Sequence, residues 1–182
     1  KQLKQKYEIK TEYLGPREEG FDVEVKMLGR VMRWTESGLE YEPDQRHAEL
    51  LVQELGLCSS RPVGTPGTNE SRIRDAVVSA DAEYDREELM NVEASTRYRG
   101  LAARLNYLAL DRADVQFAAK ECCKSMSNPR VGDWEKLKRA GRYLRGRPRS
   151  IKQFPFECTQ TELKGYADSD WAGERPGRKS TS

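Results

Sequence analysis

Tyr98-Arg99-Gly100-Leu101-Ala102-Ala103-Arg104-Leu105-Asn106-Tyr107-Leu108 repeats its apolar residues at the period of an α-helix. Tyr98, Leu101, Ala102, Leu105 and Leu108 fall on one side of it. Two more helical patterns follow. From Asp114 to Met126, Val115, Ala118, Ala119, Cys122 and Met126 share a face. After Asn128-Pro129, which punctuates the chain, and the cap-like Asp133, Trp134, Leu137, Gly141 and Leu144 share another. Three helices joined by short links are expected to bundle around these faces.

Upstream the period changes. Phe21-Asp22-Val23-Glu24-Val25-Lys26-Met27 alternates apolar and polar residues, as a half-buried strand does. Val31-Met32-Arg33-Trp34 continues in extended character beyond a break at Gly29, Thr35-Glu36-Ser37-Gly38 is read as a hairpin turn, and Leu39-Glu40-Tyr41-Glu42 returns. Pro43-Asp44 opens a helix with Asp44 as its cap, Ala48, Leu51, Val52 and Leu55 on one face, and Gly56 at its end. His47, within that helix, reads as a surface or packing residue rather than a catalytic base. The fold class is therefore α+β: an N-terminal hairpin and helix over 1–57, a turn-rich acidic linker over 58–84, a helical region over 85–150, and strands from 151 onward. Ile151-Lys152-Gln153-Phe154-Pro155-Phe156 is expected to be extended, with Pro155 arguing against a central strand.

In this chain of 182 residues a 36% apolar fraction against 34% charged allows only a modest core. No run of apolar residues is long enough to span a membrane, and the basic start is not followed by an apolar targeting core. Cys58, Cys122, Cys123 and Cys158 form no CxxC pair and His47 stands apart from them, so reduced and mostly buried thiols of an intracellular protein are expected rather than a zinc site.

The net charge of +2 conceals a division along the chain. Glu70, Asp75, Asp81, Glu83, Asp85, Glu87, Glu88 and Glu93 outweigh Arg72, Arg74 and Arg86. Over 130–152 the balance reverses, with only Asp133 and Glu135 opposing the basic residues. Lys138, Arg142 and Arg145, spaced i, i+4 and i+7, form a stripe on the third helix with Arg139 alongside, and Arg147 and Arg149 extend it. Such a row tracks phosphates along a duplex with little discrimination between sequences.

Near the tail, Thr161 to Asp168 reads as a strand that delivers Asp168 and Asp170 to one side of an extended segment. Carboxylates suit magnesium (Mg2+), a hard cation, and metal-assisted phosphodiester hydrolysis needs such ligands. Asp168 is the candidate metal ligand, and Asp170 a candidate catalytic partner acting through bound water or the local field. A turn at Gly173-Glu174-Arg175-Pro176-Gly177 and a second strand over 178–182 are expected to follow. Two acids make an incomplete two-metal site. The chain is accordingly expected to be a segment cut inside a nuclease domain, which fits the absence of an initiating Met.

Arg99-Gly100-Leu101-Ala102-Ala103-Arg104-Leu105-Asn106-Tyr107-Leu108 and Asp111-Arg112-Ala113-Asp114-Val115-Gln116-Phe117-Ala118 are followed by Met126-Ser127-Asn128-Pro129 and Trp134-Glu135-Lys136-Leu137-Lys138-Arg139. Next come Arg142-Tyr143-Leu144-Arg145-Gly146, Gly165-Tyr166-Ala167-Asp168-Ser169-Asp170-Trp171-Ala172-Gly173 and Arg178-Lys179-Ser180-Thr181-Ser182. In this order, over roughly residues 85 to 182, they resemble the carboxyl-terminal part of the reverse transcriptase of copia-type LTR retrotransposon Pol polyproteins, running into RNase H. Asp111-Arg112-Ala113-Asp114 departs slightly from the family's Arg-Pro-Asp form, and no Tyr-x-Asp-Asp polymerase motif is present.

The resemblance implies that 1–57 ends a palm with a primer-contacting hairpin, that the helices form thumb and connection, and that 151–182 opens a truncated RNase H-like domain. It implies that Asp168 matches the first catalytic aspartate of RNase H. The parent activity would be RNA-directed DNA polymerase with hybrid ribonuclease, and the segment alone would bind template–primer without catalysis. Implied partners are an RNA–DNA hybrid or DNA duplex and the remainder of the Pol polyprotein, in a cytoplasmic virus-like particle or the nucleus. The alternative is a domesticated, non-catalytic nucleic-acid-binding module.

Overall fold

A computed structural model describes residues 6–67, 88–156 and 165. The aspartates Asp168 and Asp170, the strands expected over 161–168 and 178–182, most of the acidic linker and Cys158 lie outside the described residues.

The alternating N-terminal pattern folds as an antiparallel meander of β1 (Glu24–Met27), β2 (Arg30–Thr35) and β3 (Gly38–Glu42). Met27 pairs with Arg30, leaving Leu28 and Gly29 as a two-residue turn in which both φ are positive, +50° and +80°. That backbone matches the strands' twist. Gly29 is needed twice over, because a Cβ there would also overlap the Asp44 carboxylate. At the next turn Thr35 pairs with Gly38, and the Thr35 hydroxyl donates to the Gly38 carbonyl at 2.8 Å. The strand expected from Phe21 is paired regularly only from Glu24, although the Val23 carbonyl still accepts from the Trp34 amide.

The fourth strand comes from far along the chain. β4 (Lys152–Pro155) lies antiparallel to β3, with Leu39 opposite Phe154, at the sheet edge where a proline is tolerated. The sequence reading assigns this stretch to a separate unit opening at 151; its ladder partner is the N-terminal sheet. Met32, Trp34, Leu39, Tyr41 and Phe154 fall on one face, and Trp34 also meets the Phe156 ring at 4.6 Å. Glu24, Arg33, Glu40 and Gln153 fall on the other.

Among the described residues four helices rather than three share the core: α1 (Arg46–Glu54), α2 (Val92–Ala109), α3 (Gln116–Lys124) and α4 (Val131–Gly146). The expected cap Asp44 lies one residue early: Gln45 is the N-cap of α1 and makes no side-chain cap bond, while the Asp44 carboxylate accepts the Arg46 amide at 3.1 Å. Gly56, at φ +70°, closes the helix: its amide reaches the Gln53 carbonyl, and that of Leu57 reaches Val52. This pair of bonds returns the chain over its own last turn. Ala48, Leu51, Leu55 and Leu57 thereby join Tyr98, Leu101, Leu105, Val115, Ala119, Leu137 and Leu144 in one buried cluster. Each fully buried leucine contributes about 1.5–3 kcal/mol. α4 approaches so closely that a Cβ on Gly141 would lie 2.7 and 2.8 Å from the Leu57 and Leu55 methyls.

The single turn of 3₁₀ helix at Ala113–Val115 leads into α3. Inside the bundle the Tyr98 hydroxyl donates to the Cys122 carbonyl at 2.7 Å, and burial pushes the Cys122 thiol up to about 12. Cys122 is buried, Cys123 half-buried and Cys58 exposed, and all three are free. His47 is a packing residue, its ring 4.7 Å from that of Tyr107.

Candidate nucleic-acid interface

α4 begins in a reciprocal cap. The Asp133 carboxylate accepts the Arg130 amide at 3.0 Å while the Asp133 amide donates to the Arg130 carbonyl. The helix therefore starts before Asp133, at Val131, rather than after it. With Leu137, Ala140, Gly141 and Leu144 buried, Lys138 is exposed and Arg139, Arg142 and Arg145 are half-buried along the flank.

The stripe divides into two groups. The Arg139 guanidinium donates from Nη2 to the Thr65 hydroxyl at 2.9 Å, and Arg142 donates from Nε to the Arg61 carbonyl at 2.8 Å. The segment 61–67 thus lies across the helix as a strap. It also passes close to Gly146, where a Cβ would come within 2.8 Å of Pro62 Cβ. Lys138, Arg145 and Arg147 make no ion pair with any carboxylate among the described residues. Arg147 instead has its guanidinium 5.8 Å from the centre of the Tyr143 ring.

Arg149 is engaged differently. It donates from Nε and Nη2 to the Glu42 carboxylate at 2.5 and 2.8 Å, and Arg33 adds a third bond at 2.9 Å. Arg149 foremost, joined by Arg33, holds the Glu42 carboxyl at about 2 despite its burial. A compensating acid absent from the neighbouring sequence is thus supplied by β3.

Sequence reasoning missed the junction that aims this region. Arg112 is almost wholly buried. It pairs with Asp114 through two bonds, of 2.9 and 2.6 Å, and donates to the Arg147 and Pro148 carbonyls at 3.1 and 3.3 Å. Burial works against the Asp114 charge, but Arg112 and the Tyr143 hydroxyl, 2.9 Å away, hold its carboxyl below the usual range. Next to it, Asp111 accepts from Arg30 Nε at 2.8 Å and from the Tyr41 hydroxyl at 2.7 Å. Asp111-Arg112-Ala113-Asp114 therefore fixes both the sheet and the end of α4. The only sequence signal was two acid–base neighbours in a short interhelical link.

Among the described residues no three His, Cys, Asp or Glu side chains converge as a metal site, and no helix is long and apolar enough to cross a membrane.

The chain is homologous, over part of its length, to copia-type retrotransposon Pol polyproteins. It is 37% identical over 138 residues to the retrovirus-related Pol polyprotein from transposon RE2 of Arabidopsis thaliana, covering 76% of this chain and 9% of that one. To the polyprotein from transposon RE1 of the same plant it is 36% identical over 132 residues, 72% of this chain and 8% of the relative. An uncharacterised mitochondrial protein of Arabidopsis thaliana is 26% identical over 157 residues, 85% of this chain and 59% of the relative. The chain thus spans less than two thirds of each of these relatives. No protein-family model matches it, and no solved structure does.

Proposed function

We propose that this chain is the duplex-holding part of a retrotransposon reverse transcriptase that continues into RNase H. Its partner is an RNA–DNA hybrid or DNA duplex, with the rest of a Pol polyprotein completing the enzyme. The observation that carries the reading is the run of Lys138, Arg145 and Arg147 along and just beyond α4, unpaired with any carboxylate among the described residues. Homology to Pol polyproteins supports a nucleic acid as the class of partner for that surface. Lys138 and Arg145 sit on a helix fixed by its buried leucines, so their spacing is set before any ligand arrives.

In the same proposal Asp168 is the acid that takes Mg2+ and Asp170 its catalytic partner, acting through bound water or the local field; both lie outside the described residues, and their support is the chemistry of the pair. The ion, when bound, would polarise a phosphodiester and orient water. The described residues bind and position.

The experiment is a titration of the chain against an RNA–DNA hybrid at several salt concentrations. Reversing Lys138→Glu and Arg145→Glu together should weaken binding at least about tenfold and lower the salt slope by about 0.9 for each phosphate no longer neutralised. Unchanged affinity in the double variant would remove α4 as the interface.

A further inference from the structure

The strap over 61–67 crosses the proposed interface, and its contacts fall on two of the guanidinium groups in the stripe. Arg142 meets a backbone carbonyl, that of Arg61, and Arg139 meets a hydroxyl, that of Thr65. Both acceptors are neutral. Arg139 Nε is buried with no hydrogen-bond partner among the described residues, so the closed strap leaves one charged donor unsatisfied. A phosphate offers each guanidinium a charged acceptor able to take two parallel hydrogen bonds, a stronger arrangement than either contact the strap supplies. The strap itself is lightly held. Arg61, Pro62, Gly64 and Thr65 are exposed; Val63, half-buried, is the one strap side chain packed against the core, and the other near contacts are Pro62 beside Gly146 and Gly67 beside Phe117.

We propose that segment 61–67 is an intramolecular competitor for phosphate: it occupies Arg139 and Arg142 in the free protein and is displaced when the chain binds a nucleic-acid backbone. This rests on the reading of α4 as the interface, and adds how that interface is held back. Lys138, Arg145 and Arg147 are outside the strap's hydrogen bonds and meet the duplex first. Arg139 and Arg142 engage as the strap leaves.

Two variants of the full chain test it. Gly146→Ala places a methyl against Pro62 and pushes the strap outward, at a position where alanine favours the helix. Thr65→Val removes the acceptor from Arg139 while keeping the shape of an exposed side chain. Affinity for an RNA–DNA hybrid is measured by fluorescence anisotropy, after circular dichroism establishes that both variants melt cooperatively. Each variant should bind about three- to tenfold more tightly than the wild type, the size expected for removing one competing hydrogen bond. Should the wild type bind and neither variant bind more tightly, the strap proposal fails while the interface stands. If neither wild type nor variants bind, the interface reading fails and takes the strap with it.

Discussion

Replacing Glu42 by Gln keeps the shape of a side chain that three guanidinium bonds surround, removes its charge and turns one accepting oxygen into an N–H donor. Folding lowers the Glu42 carboxyl from 4.5 to about 2, with Arg149 the largest cause. That difference corresponds to about 3 kcal/mol of preference for the ionised form in the folded state. The Arg149 side chain is 52% exposed, so solvent screening reduces the usable part to about 1–2 kcal/mol. Because the folded pKa is the lower one, the stabilisation is complete above about 4.5 and is lost as pH falls toward 2. Urea unfolding followed by circular dichroism should therefore show Glu42→Gln less stable by about 1–2 kcal/mol at pH 7. The gap should close between pH 4.5 and 2, where the wild type takes up the proton and Gln does not. Equal stability at pH 7, or a gap that stays constant through that acid window, would refute the claim that Glu42 ties the 149 region to the sheet by charge.

Two further substitutions probe the core and the junction. Gly141→Ala should cost about 1–3 kcal/mol in thermal unfolding, because the new methyl meets Leu55 and Leu57 on the turn that ends α1. A neutral result would mean that the two leucines yield freely. Arg112→Met should destabilise by about 3–5 kcal/mol in urea, leaving Asp114 without its buried cation and two carbonyls without a donor. A change of less than about 1 kcal/mol would show that the junction is not rigidly built.

The helix faces were legible because a 3.6-residue period is a local property: Tyr98, Leu101, Leu105, Leu137 and Leu144 are all buried where the pattern put them. The break at Gly29 and the turn over Thr35–Gly38 were legible for the same reason, although Glu36 and Ser37 make the loop and Gly38 already pairs in β3. What escaped reading depends on groups distant in the chain. The partner of 152–155 is a strand more than a hundred residues earlier, and alternation gives a strand's faces without naming its neighbour. The share α1 takes in the helical core was hidden likewise, its apolar face being equally suited to packing on the sheet. In the basic stripe, charge spacing was visible but occupancy was not, since Arg142 is held by a backbone carbonyl that has no residue signature. Arg149 looked uncompensated because Glu42 lies far from it in sequence.

The pairing of β3 with β4 also sets an order of events at the ribosome. Gly38 and its neighbours emerge with one edge of the sheet unsatisfied, and Pro155 follows only after more than a hundred further residues have been added. At about 5–20 residues per second, that edge waits on the order of 6–20 seconds for its own strand. Until then a nascent meander on an adjacent ribosome of the same message presents an equivalent edge, so crowded translation of this transcript favours pairing between chains.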